Sequence, residues 1–185
     1  MPRSFPKDLE YKVLYAVIVA GKSARFAEAK MIVLFEELER RGLWKGTWFA
    51  SLPQRMPTLV SCLKAARVGN YDKNSAAFHG LLRAQLDLAT CTVAELEAIK
   101  GIKQKTSRFF MRWSNRRDRY AVLDVHILAW LAEQGHDVPK ITPQSKREYE
   151  RVTQLFLAEA DRLEIHPVDL DEKLWLARNK SGIRE

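Results

Sequence analysis

Signals that open and close helices recur along the whole of this 185-residue chain, and no stretch gives a convincing strand pair. Leu9 to Ala20 is mostly apolar, and its length together with the helix-forming segment behind it favours helix. Ser23 caps a second helix reaching Arg41, with Ala27, Met31, Leu34, Phe35 and Leu38 at helical spacing and Gly42 as the stop. Trp44, Trp48 and Phe49 fall in a connector before a helix over about 57–68. Gly69-Asn70 reads as a turn and 75–88 as another helix. Thr92-Val93-Ala94-Glu95 is a capping box for a short helix to about Ile99, which Gly101 breaks before a new helix over 104–113. Asp124 caps the next helix, ending at Gly135, and the last two span 145–163 and 167–178 with Pro167 in a first-turn position. The expected fold class is all-α.

Charge narrows the function. The chain carries 31 Lys and Arg against 23 Asp and Glu, a net +8. Between Lys100 and Tyr120 stand Lys100, Lys103, Lys105, Arg108, Arg112, Arg116, Arg117 and Arg119, opposed only by Asp118, so this run holds +7 of that total. Such a run is often just a solvated helix face. Here Phe109, Phe110, Met111 and Trp113 anchor it in a core, and a basic strip on a rigid mount favours a nucleic-acid backbone. The longest apolar run, Val13 to Ala20, is shorter than the roughly 20 residues that cross a bilayer, and its acidic flank (Asp8, Glu10) argues against a signal peptide. Cys62 and Cys91 are too few for a disulfide framework, a four-cysteine metal site or an iron–sulfur cluster. The expectation is an intracellular protein, without membrane partner or cofactor, whose cysteines are packing residues.

Two motifs carry little. Gly21-Lys22-Ser23 matches the end of a phosphate-binding loop, but the first glycine of that loop would fall at Ala16. His79, His126, His136 and His166 are scattered, and Asp124 with His126 offers two candidate ligands at most, so no metal site is expected and each histidine reads as structural. The informative stretch is 96–110, Leu-Glu-Ala-Ile-Lys-Gly101-Ile-Lys-Gln-Lys105-Thr-Ser-Arg-Phe-Phe. A short helix, a glycine-centred turn and a second helix bring backbone N–H groups to a helix N-terminus, where they can grip a phosphate.

That stretch resembles the hairpin of the helix-hairpin-helix superfamily of DNA glycosylases, and Ala121-Val-Leu-Asp124-Val-His-Ile-Leu-Ala-Trp130 resembles the family's segment bearing the catalytic aspartate. Tyr149-Glu-Arg-Val and Leu163-Glu-Ile-His-Pro-Val-Asp-Leu-Asp171-Glu-Lys-Leu-Trp175 are similar to the closing helices of the compact 8-oxoguanine DNA glycosylase/AP lyases. The resemblance implies a two-lobed fold in one unit of 1–185: one lobe of about 1–22 plus 135–185, the other of about 23–134 with the hairpin at 96–110. It implies that Lys105 is the nucleophile of a bifunctional enzyme and Asp124 the catalytic carboxylate, a role compatible with helix capping. Without the resemblance Lys105 is one more phosphate-contacting cation, and crowding by Lys103 and Arg108 would favour its neutral form. DNA contacts are expected from Gly101, Lys103, Gln104, Thr106, Arg108 and Arg112. Asn70 is expected to fill the space of a flipped base and Tyr71 to stack beside it, although an ordinary turn explains them as well. Asp171 and Trp175 would line the base pocket, with burial at a helix interface the plainer role for Trp175.

The chain departs from the family where Gly101-Ile102-Lys103 replaces Gly-hydrophobic-Gly, giving up a residue that allows close approach or positive φ. The tail 180–185 also differs from those relatives, and no cysteine follows Cys91 to build the cluster of the endonuclease III branch. The implied partner is double-stranded DNA with a modified base, bound by a monomer in the cytoplasm or nucleoid of a prokaryotic or virus-infected cell. Two alternatives remain: a base-modifying enzyme or transferase of the same fold acting on modified thymines in viral DNA, and a non-catalytic DNA-binding module.

Overall fold

The computed structural model describes residues 7–114 and 119–180, with side chains to 177. Arg116, Arg117 and the tail 181–185 lie outside the described residues. Among the described residues there are ten α-helices and no strand, so the all-α expectation holds. No helix among them is long and apolar enough to cross a membrane.

The chain forms two compact units, Met1–Phe110 and Met111–Glu185. This division differs from the lobes that the resemblance implies, because α1 packs with α2, α3 and α5 inside the first unit. The first unit is built from α1 (Leu9–Val19), α2 (Ala24–Arg40), α3 (Trp48–Ser51), α4 (Met56–Ala65), α5 (Tyr71–Ala84), α6 (Val93–Glu97) and most of α7 (Gln104–Trp113). In α1 every residue from Tyr11 to Ile18 except Lys12 is buried, so it is a central helix rather than an amphipathic one. Around it pack α2, with buried Met31, Leu34 and Leu38, and α5, with buried Phe78 and Leu81, while α4 packs its buried Leu59 and Leu63 with α2 and α5. Both cysteines are buried free thiols.

The sequence signals mostly mark the observed ends. Ser23 Oγ accepts from the Phe26 N–H at 3.2 Å, and after α2 Gly42 takes φ +67° while the Leu43 N–H reaches the Leu38 carbonyl at 2.8 Å. Two expectations change. The connector holding Trp48 contains the short helix α3, started by Thr47 and by Glu10 Oε2, which accepts from the Phe49 N–H at 2.7 Å. It exists to bury Trp48, whose ring packs 5.9 Å from Tyr11 and 5.4 Å from Trp44. Helix α5 begins at Tyr71, four residues before the expected Ser75, because Asn70 enters it from a left-handed conformation (φ +45°) without a side-chain cap.

In the second unit, α8 (Val125–Glu133), α9 (Lys146–Arg162) and α10 (Pro167–Lys180) enclose Leu123, Ile127, Leu128, Leu131, Tyr149, Val152, Phe156 and Leu170. Ser145 caps α9, and Pro167 is the first residue of α10.

Candidate functional site

The hairpin is fastened at both ends. Thr92 and Glu95 form the reciprocal capping box of α6, with the Glu95 N–H donating to Thr92 Oγ1 and the Thr92 N–H to Glu95 Oε2. Leu96, Ile99 and Ile102 are buried beneath the turn. Glu97 then joins the two helices: its Oε1 accepts from Ser107 Oγ at 3.1 Å and pairs with Arg108 Nη1 at 2.5 Å.

Gly101 has φ +96°, and a Cβ there would stand 2.6 Å from the Lys73 carbonyl oxygen and 3.1 Å from Ala77 Cβ. The turn is therefore seated directly on the first turns of α5, where no other residue fits. Lys103 needs no such freedom. Its φ is not positive, and its carbonyl accepts from the Ser107 N–H at 3.0 Å to start α7. Lys103 in place of a second glycine is accommodated because the close approach falls on Gly101 alone. The same seating brings the hairpin next to the turn of Asn70 and Tyr71, two elements expected separately.

The basic run divides when its neighbours are included. Arg108, expected at DNA, is 6% exposed and paired with Glu97, so it fastens the hairpin instead. Thr106 is buried too, and Gln104 offers its carbonyl to Ser107 and Arg108. Arg112 Nη1 lies 3.1 Å from the buried Asp171, and Arg119 holds Asp161 through two bonds of 2.7 and 2.8 Å. Lys100 and Lys103 are exposed, and Lys105 is half-buried on the first turn of α7. Among the described residues, none of these three lysines has a carboxylate partner.

Asp124 stands at the start of α8, with both backbone bonds on one oxygen: Oδ1 accepts from the His126 and Ile127 N–H groups, each at 2.9 Å. Among the described residues Oδ2 carries no hydrogen bond. The segment before it is pinned by Tyr149, whose hydroxyl donates to the Ala121 carbonyl (3.1 Å) and accepts from the Leu123 N–H (3.0 Å), and by Thr142, which donates to the Leu123 carbonyl (2.9 Å). Capping thus leaves half of the carboxylate available. His126 corrects its reading as a satisfied structural residue: it is buried, and its Nε2 has no hydrogen-bond partner among the described residues. Trp175 corrects its reading too, being 44% exposed rather than buried at an interface, and Asp171 is engaged by Arg112.

Two lysines were missed. Lys22, considered only as part of an incomplete phosphate loop, donates from Nζ to the Val68 carbonyl. Lys73 sits half-buried above the hairpin turn, its amine held below the ordinary lysine value first by burial and then by Lys103. Lys22 is likewise lowered by burial, by Lys73 and by Lys30. The only sequence hint was Gly69-Asn70, a left-handed turn three residues before Lys73. Among the described residues no three His, Cys, Asp or Glu side chains gather where a metal ion would sit. No protein-family model matches the chain, and no solved structure matches it.

Proposed function

We propose that this chain is a DNA glycosylase with AP lyase activity, built on the two-lobed helix-hairpin-helix glycosylase fold and excising a modified base, 8-oxoguanine first among them. The observation that carries this reading is the contrast inside the basic run. Arg108 and Arg112 are met by carboxylates, whereas Lys105 is partly withdrawn from water and has no carboxylate partner among the described residues. An amine bonded to a carboxylate cannot attack carbon; Lys105 carries no such bond.

The target nucleotide leaves the stack, at a cost of a few kcal/mol (roughly), to expose its glycosidic bond. Lys105 Nζ attacks C1′ through its nitrogen lone pair as the C1′–N bond breaks, and the departing base takes the electron pair and one of the amine's protons. Positive charge developing on the sugar is stabilised by the Asp124 carboxylate. The C1′–O4′ bond then breaks as the nitrogen forms a double bond to C1′, and O4′ takes the second amine proton, leaving an imine at C1′. Removal of a C2′ proton then expels the 3′ phosphate oxygen and nicks the strand. The N–H groups at the start of α7, with Lys103, serve the backbone of the same strand.

A panel of duplexes, each with one modified base, tests this by base release and borohydride trapping. Release of free 8-oxoguanine with a trapped adduct is expected. Activity only on a hypermodified pyrimidine would move the assignment to base modification, and salt-sensitive binding without release or adduct would leave a DNA-binding module. Lys105→Gln should abolish trapping, and persistent trapping excludes it as the nucleophile. Asp124→Asn should slow release by about 10²- to 10³-fold while melting close to wild type, since asparagine caps a helix as well as aspartate does.

A further inference from the structure

Lys22, Lys73 and Lys103 come from three segments distant in sequence, yet the first unit gathers them around one turn. Lys22 precedes α2 and reaches across to the turn between α4 and α5, where its Nζ donates to the Val68 carbonyl. Gly69 makes room for it: a Cβ there would stand 2.8 Å from that Nζ. The turn is held by Asn74 Nδ2, which donates to the Gly69 carbonyl at 2.8 Å, and it leaves Asn70 exposed at its tip. One helical turn further on, the backbone at Lys73 carries the hairpin turn through Gly101, and Lys103 follows two residues later. On the other side, Phe26 lies between Lys22 and Lys30, with their Nζ atoms 4.8 and 5.3 Å from its ring centre.

Like charges held together in a fold oppose folding unless an anion joins them. Glu28, an acid of α2, is engaged by Lys7 at 2.9 Å, and Asp72 adjoins Lys73 in sequence, where helical neighbours diverge. Each amine is crowded by the next in a series: Lys30 and Lys73 act on Lys22, and Lys103 acts on Lys73. Lys22 at the Gly69 turn, Lys73 one helical turn on and Lys103 just past the glycine seated on the Lys73 carbonyl offer successive cations from three segments, which fits a polyanionic chain better than a lone phosphate.

We propose that Lys22, Lys73 and Lys103, together with the Gly69–Asn70 turn between them, form a track for the phosphodiester backbone of duplex DNA, extending the hairpin contact toward the start of α2. The choice of duplex rests on the function proposed above, but the track requires neither a lesion nor base excision.

The test is binding of the full chain to a lesion-free duplex, followed by anisotropy across a salt series. Each phosphate contact contributes about 0.9 to the log–log salt slope. Lys73→Gln and Lys22→Gln should each reduce the slope by that amount and weaken binding about eightfold at 0.1 M salt relative to 1 M, which is the same slope expressed as a ratio. Lys22→Arg, keeping charge and donor, should restore the wild-type slope. Lys73→Gln makes the experiment independent of the Lys22–Val68 bond, and without DNA this variant should melt at or above the wild-type temperature because it relieves repulsion. Unchanged slopes for Lys73→Gln and Lys22→Gln would overturn the track, as would weaker binding by Lys73→Gln that tracks a lower melting temperature. Slope losses on undamaged duplex with no base release on any lesion would uphold the track and remove the glycosylase; base release with unchanged slopes would do the reverse.

Discussion

Positive charge is assembled in two opposite ways in this molecule. Along α7 and just beyond it, basic residues are contiguous in sequence, yet Glu97, Asp171 and Asp161 meet Arg108, Arg112 and Arg119 from 11 to 59 positions away. Around the Gly69–Asn70 turn, lysines scattered over about eighty positions come together and, among the described residues, none of them is paired with a carboxylate; their electrostatic neighbours are other lysines. A count of charge along a chain therefore mistakes structural ion pairs for binding surface and overlooks the surface that folding creates. The arginines hold helices; the lysines are left for a partner.

The sharpest way to break this comparison is to remove an acid from the arginine side. Glu97→Gln leaves Arg108 buried without its charge partner and should lower unfolding free energy by about 3 kcal/mol, measured by urea denaturation; a loss below 1 kcal/mol (about) would mean that Arg108 is solvated after all. Next is the seat of the hairpin on α5. Gly101→Ala brings a Cβ against the Lys73 carbonyl at positive φ and should cost about 2 kcal/mol, while weakening binding to lesion-free duplex because the turn and Lys103 shift together. Wild-type melting in this variant would refute the close approach.

A smaller effect separates the lysines by pH. Lys22 and Lys73 are held below the ordinary value of 10.5, so the folded chain binds fewer protons than the unfolded chain as pH climbs from their lowered values toward 10.5. Their unfavourable contribution fades over that window, and stability gains. Lys73→Gln should flatten this gain. Tyr11 and Tyr15, pushed up by burial, act in the opposite direction above 10.0, so the measurement is the difference between variant and wild type, in which they cancel. Parallel alkaline limbs would count against the crowding of Lys73. The smallest change is expected from Arg119→Gln, whose exposed pair with Asp161 contributes less than about 1 kcal/mol; a larger loss in thermal melting would place that pair with Arg108 rather than at the surface.

What the sequence made legible was local. Ser23, Thr92 with Glu95, and Asp124 each cap the helix expected of them, because a cap is decided within three or four residues. The entry to α5 was illegible for the same reason: Asn70 supplies a left-handed backbone and no cap bond, and Asn74 holds the turn from inside the helix. Helix α3 has four residues, too few for any periodicity, and depends on Glu10 from α1. In the candidate site, the glycine turn and the capping role of Asp124 were legible. The partners of Arg108 and Arg112, the exposure of Trp175 and the inward reach of Lys22 were not, since each is fixed by residues that only tertiary packing brings near.

The carboxylate at 124 cannot spin freely. With Oδ1 fastened to two N–H groups of α8 and the preceding strand of backbone clamped by Tyr149 and Thr142, the lone pairs of Oδ2 point along one fixed bearing. A glutamate at this position would keep the negative charge but give up either the fastening or the bearing, so the shorter acid is dictated by geometry before any chemistry begins.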